Sequence, residues 1–253
     1  MSGHVLPVLF VVVAWFVSTG IVIALDRLPA HTFRWSLTAA GVVALGGVAL
    51  ARHVAADTTP RGAYLGFAAA LAVWGWHEMS FLMGVVTGPR RVPLPRGTIG
   101  WARFRMAAAT LIWHEIALAA TAVALLALTW GQPNQTAAIT FAALFALRLS
   151  AKFNIFLGVP NLTVDFLPAQ LSYLKSYFRV APFNPLFPVS VAVATTAAVL
   201  LAEAAAASDT AAGLTMLATL IALGVLEHGF LVLPVPDAAL WRWAMTTKAG
   251  QAK

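Results

Sequence analysis

Apolar residues fall into seven stretches of about 20 positions, the length that carries an α-helix across a bilayer. They run Leu6 to Leu25, Phe33 to Arg52, Ala63 to Met83, Met106 to Trp130, Thr136 to Leu157, Phe187 to Ala207 and Ala211 to Leu233. Prolines sit near the starts of these runs or in the connections, at Pro7, Pro60, Pro133, Pro188 and Pro234, where a missing N–H breaks no helical ladder. The pattern predicts an all-α, polytopic membrane helix bundle: seven transmembrane helices in one integral-membrane domain spanning 1–253. Trp35, Trp101, Trp130, Trp241 and Trp243 fall near the expected interfaces, while Trp74, Trp76 and Trp113 lie deeper.

The connection 158–186 carries a pattern of its own. Leu167, Leu171, Leu174 and Phe178 recur at helical spacing after Pro168, with Lys175 and Arg179 placed to reach headgroups. This predicts a short amphipathic helix on the cytoplasmic membrane surface. Its apolar residues are either a plain connector face or a docking surface for another protein.

Composition supports the bilayer assignment. The 253 residues are 60% hydrophobic and 10% charged, with a mean hydropathy of +0.84, too little polar surface for a water-soluble domain of this size. The first run is longer than a signal-peptide core and lacks a basic start, so it is expected to remain as a helix. The net charge of +7 comes from bases in the connections, which suits membrane lipids better than nucleic acid. Arg27, Arg34, Arg90, Arg91, Arg96, Arg103, Arg105, Lys175, Arg179, Arg242, Lys248 and Lys253 all fall on one side of a seven-span chain. Arg52 and Arg61 fall on the other. The positive-inside rule then puts the N-terminus outside and the C-terminus in the cytoplasm.

Three of the four glutamates adjoin a histidine within these apolar runs: His77-Glu78, His114-Glu115 and Glu227-His228. An ionisable group at membrane depth costs roughly 2.5–3.5 kcal/mol on insertion scales, so such groups need partners, a ligand or a proton path. The topology places all three pairs in the cytoplasmic half, with His77 and His114 roughly 13 Å from that surface at helical rise. Arg148 and Lys152, one turn apart on the fifth run, reach a similar depth, and Asn154 follows.

Three readings of the six residues stand open. One is an interhelical network in which Arg148 and Lys152 balance Glu78, Glu115 and Glu227. A second makes one imidazole the axial ligand of a haem iron or chlorophyll magnesium, with Trp76 or Trp113 on the macrocycle. The third is an iron, manganese or zinc centre. Adjacent residues point about 100° apart on a helix, unlike the Glu-x-x-His pairs of di-iron bundles.

The absence of cysteine excludes thiolate catalysis and Cys-ligated clusters. No nucleophile elbow, phosphate-binding loop, dinucleotide fingerprint or His-Glu-x-x-His motif occurs. Glu203 is expected to snorkel, and His4, His31 and His53 to be solvated. Gly84 and Gly88 have the spacing of a helix-packing pair. The sequon-like Asn134-Gln135-Thr136 and Asn161-Leu162-Thr163 receive no role.

The most specific string is Ala151-Lys152-Phe153-Asn154-Ile155-Phe156-Leu157-Gly158-Val159-Pro160-Asn161, followed by Phe166-Leu167-Pro168 and Leu171-Ser172-Tyr173-Leu174. With Trp76-His77-Glu78 and Thr87-Gly88-Pro89-Arg90-Arg91, it resembles the PuhE family, photosynthetic complex assembly proteins of purple and related phototrophic bacteria. The resemblance implies a multi-pass protein of the photosynthetic inner membrane acting in reaction-centre and light-harvesting assembly or in bacteriochlorophyll supply. Reaction-centre or light-harvesting subunits are then its expected partners. It supplies no catalytic residues. The alternatives are an intramembrane metalloenzyme acting on a pigment or lipid, and a structural subunit of a photosynthetic complex.

Overall fold

The computed structural model describes residues 2–162, 167–208, 211–234 and 240–245. Thr163, Asp165, Phe166, Lys248 and Lys253 lie outside them, and with them part of the second sequon, of the family string and of the C-terminal charge count.

Nine α-helices occur among the described residues: α1 Ser2–Asp26, α2 Phe33–His53, α3 Pro60–Leu82, α4 Gly100–Ala108, α5 Ile112–Leu128, α6 Thr136–Leu157, α7 Leu186–Ala206, α8 Ala211–Phe230 and α9 Arg242–Met245. The β-structure there is one isolated bridge, Val159 to Val180. Helix starts follow local chemistry. At α3, Pro60 fills the first turn, the Thr59 hydroxyl accepts from Gly62 N–H, and Asp57 Oδ1 accepts from both the N–H and the hydroxyl of Thr59 at 2.9 and 2.6 Å.

Side-chain pairs fix the helix directions. His4 meets Thr215 and Trp15 meets Glu227, so α1 and α8 run parallel. Trp74 packs on Phe141 and Glu78 faces Arg148, so α3 and α6 are parallel. Gly41 lies against Trp76 and Gly47 against Ala69, which makes α2 antiparallel to α3. Thr121 meets His77 while His114 stacks on Phe81, so α5 also opposes α3. The start of α7 lies beside the end of α6, where Ser190 touches Ser150 and Asn154.

Five helical segments are long and apolar enough to cross a membrane: Gly3–Asp26, Ala30–His53, α6, α7 and α8. The bent pair α4 and α5 makes a sixth if taken as one span. The remaining expected span is α3, 23 residues long and central, with 12 of them buried. Its tryptophans, glycines and His-Glu pair make it less apolar than those five.

The fourth run is not the continuous helix expected from Met106 to Trp130: α4 and α5 meet at 63°. Neither proline nor glycine causes the break. Instead the segment after α3 inserts into it: Arg90 N–H donates to Ala109 O at 3.0 Å, and Thr87 O accepts from His114 N–H at 3.0 Å. The Thr110 hydroxyl donates to Ala107 O at 2.6 Å. Backbone groups freed by the kink are thus satisfied. Gly88 permits this approach, since a Cβ there would lie 2.6 Å from Thr110 C and 2.7 Å from Leu111 N. Its constraint is this backbone crossing, not the expected helix-packing pair with Gly84.

The segment after α6 also departs from expectation. Gly158 ends the helix at φ 126°, but Ala169–Tyr177 is a 3-10 helix, not an amphipathic α-helix on the surface. Leu171 is 0% exposed and Leu174 5%. They form one cluster with Phe81, and Leu167, Phe178 and Leu111 pack against it. The four residues considered for partner docking are therefore spent wholly or in part inside the chain. Arg103 ties this cap to α6, donating to Phe156 O and Tyr177 O at 2.9 and 2.8 Å. Trp241, expected at an interface, is buried against Phe16 and Trp15 of α1.

A buried polar centre at the capped end of the bundle

The polar residues converge where α3, α5 and α6 run beneath the cap. Glu78 Oε2 lies 3.3 Å from Arg148 Nη2, and Glu78 Oε1 lies 3.9 Å from His114 Nε2. Lys152 Nζ donates to Glu115 Oε1 at 2.6 Å. The break before α5 places His114 and Glu115 in its first turn, where the positive end of the helix dipole favours a carboxylate. Arg148 and Lys152 reach the two acids from one face of α6, four residues apart.

His77 Nε2 pairs with Thr121 Oγ1 at 2.9 Å, beside the Glu78 pair. The third pair divides. His228 points inward, with Nε2 3.0 Å from Ser150 Oγ and Nδ1 2.8 Å from Gly224 O. Ser150 Oγ donates to Ser190 Oγ at 2.9 Å, and Asn154 Nδ2 reaches the same hydroxyl at 3.0 Å. Glu227 is exposed and accepts from Trp15 Nε1 at 3.0 Å. Six candidate residues thus form a buried His77/Glu78/His114/Glu115 group, an inward His228 and an outward Glu227.

Sequence reasoning missed Thr121, Ser150, Ser190 and Trp15. Ser150 carried a readable signal, standing between Arg148 and Lys152 on a helix otherwise rich in Ala, Leu and Phe. His4, expected to be solvated, bonds Thr215 Oγ1 at 2.9 Å.

The geometry separates the open chemistries. Among the described residues, no group of three or more His, Asp or Glu side chains is arranged to hold a metal ion. An axial ligand to a macrocycle needs a free ring nitrogen with room beyond it. His228 has both nitrogens engaged. His114 has neither hydrogen-bonded, yet it is 0% exposed and Phe81 stacks on it at 4.6 Å between centroids. His77 Nδ1 is unbonded in a residue only 4% exposed. The imidazoles do not fit axial ligation of haem or bacteriochlorophyll in this packing.

The ion pairs fit the interhelical network better, with one exception. Arg148 keeps 44% of its side chain exposed while facing a carboxylate that is 11% exposed. It and Glu227, which lies within electrostatic reach of it, are the exposed members of an otherwise enclosed group.

No solved structure matches the chain. A protein of Rhodobacter capsulatus, described as an uncharacterized 30.4 kDa protein in the puhA 5' region, is 39% identical over 252 residues, covering 97% of this chain and 92% of that protein. The family described as Protein of unknown function (DUF3623) matches residues 1–252. The sequence, whose buried acids, bases and imidazoles all lie within that match, belongs to the DUF3623 family.

Proposed function

We propose that this protein is an assembly factor for photosynthetic membrane complexes, of the PuhE type, and that it holds a client transmembrane segment at the Arg148–Glu227 edge. The observation that carries the reading is the Arg148 side chain, 44% exposed beyond its pair with Glu78, on a helix apolar enough to cross a membrane. Such a group costs roughly 2.5–3.5 kcal/mol unless polar partners cover it. A client helix carrying a carboxylate or carbonyl acceptor supplies that cover while it is held, and a later subunit contact releases it.

The relative encoded in the puhA 5' region supports a role in photosynthesis, since puhA belongs to a reaction-centre gene region. The client class is then a reaction-centre or light-harvesting subunit. The protein works in the photosynthetic inner membrane, with the basic capped end toward the cytoplasm.

Deleting the gene in its phototrophic host and complementing with Arg148→Gln tests this. Loss of the near-infrared absorption of assembled complexes, unrelieved by the variant despite normal membrane levels, is expected. Normal complexes in the deletion strain end the proposal. Co-purification with incomplete complexes separates an assembly factor from a structural subunit, which would stay with mature ones.

A further inference from the structure

The structure carries a second polar feature, outside the buried centre. Between α4 and the segment after α3 lies a groove of about 360 Å3, lined by Pro89, Arg90, Ala102, Arg105, Met106 and Ala109. Two guanidiniums stand over an apolar floor. Arg90 is fixed in place: Nε donates to Tyr177 Oη at 2.6 Å and Nη2 to Pro93 O at 3.1 Å. Tyr177 is itself 3% exposed and bonded to Val92 O. Among the described residues Nη1 of Arg90 has no hydrogen bond. Arg105 is exposed and has no hydrogen bond or ion pair among the described residues.

No countercharge comes from nearby sequence. Residues 79–114 contain Arg90, Arg91, Arg96, Arg103 and Arg105 without one Asp or Glu. Among the described residues neither arginine has an acidic partner, and a guanidinium pair favours the paired oxygens of a phosphate. The surroundings say which phosphate. The floor continues onto α4, where Trp101 is 68% exposed, and the preceding Ile99 is 80% exposed. Large apolar groups beside arginines, on a helix bent away from the bundle, suit the boundary between headgroups and acyl chains.

We propose that this groove binds one anionic phospholipid, its phosphate held by Arg90 and Arg105 and its acyl chain laid along Ala102 and Met106. The bound lipid seats α4 against the segment Thr87–Arg90, on which the break before α5 rests. The site is separate from the Arg148–Glu227 edge and does not depend on the function proposed for it.

Native mass spectrometry of the full-length protein in detergent, titrated with phosphatidylglycerol or phosphatidylcholine, tests it. One phosphatidylglycerol is expected to bind with a preference of about tenfold or more. Arg105→Gln removes no internal contact and is expected to lose most of that preference, while Arg96→Gln, outside the groove, keeps it. Arg105→Lys is expected to retain charge but bind more weakly, because an ammonium cannot form the paired contact. Equal loss in Arg96→Gln and Arg105→Gln, or no preference in the unaltered protein, overturns the site. Displacement of the lipid by millimolar inorganic phosphate overturns the lipid assignment.

Discussion

Removing the Lys152 ammonium exposes how the buried centre is held. Lys152 Nζ and Glu115 Oε1 are 2.6 Å apart, with side chains 18% and 11% exposed. At an effective dielectric of about 20 their attraction is about 6 kcal/mol, most of it offset by the cost of desolvating both ions. Lys152→Met keeps much of the side-chain volume but leaves the Glu115 carboxylate buried, with Oε2 already lacking a partner. Breaking one side of such a pair costs about 3–5 kcal/mol. At roughly 2–4 °C per kcal/mol for a chain of this size, the variant melts roughly 6–20 °C lower. The double variant Lys152→Met/Glu115→Leu removes both charges and is expected to regain most of that loss. Thermal melting in mild detergent, followed by tryptophan fluorescence, gives both values. A single variant that melts with the unaltered protein, or a double variant no better than the single one, refutes the claim that the pair is a closed, mutually dependent contact.

Other changes read other parts of the fold. Gly88→Val drives a side chain into the backbone at Thr110 and Leu111 and is expected to cost about 1–3 kcal/mol, seen as a lower melting temperature. Asn184→Ala frees Gly158 O, bonded at 2.7 Å, and Phe187 N–H, bonded at 3.0 Å, and is expected to cost about 1–3 kcal/mol in the same assay. Asp57, in the turn before α3, has its pKa lowered by the Thr59 hydroxyl, then by the Thr59 N–H, with Arg61 and His53 adding to the effect. A lowered folded pKa gives stability that is present above the ordinary carboxylate value and lost as pH falls through the lowered one. Asp57→Asn is therefore expected to lower the melting temperature slightly at neutral pH and to flatten the profile below about pH 4, where the two proteins converge.

The helical class and five of the seven expected spans were legible because hydrophobic length is a local property, and so were the ion pairs that Glu78 and Glu115 make with Arg148 and Lys152, because buried charges need one another. The break at Ala109–Leu111 was not, since its cause is a crossing segment 20 residues earlier and not a breaker in the helix itself. The roles of Leu171 and Leu174 escaped for a related reason: helical spacing shows that a face is apolar, but not whether it turns to lipid, a partner or Phe81. Within Glu227-His228 the split follows from the 100° between neighbours, which sequence supplies without saying which residue faces in.

Chain order gives the pairing of α1 a temporal side. Its first half finds Tyr64 and Phe67 early. In its second half, Trp15 pairs with Glu227 and Phe16 with Trp241, more than 200 residues later. At about 5–20 residues per second, synthesis leaves that half among lipids for roughly 10–40 s. Glu227 enters the bilayer near the end of that wait, when its indole donor is already in place. The last charge to be inserted thus closes the bundle on its first helix.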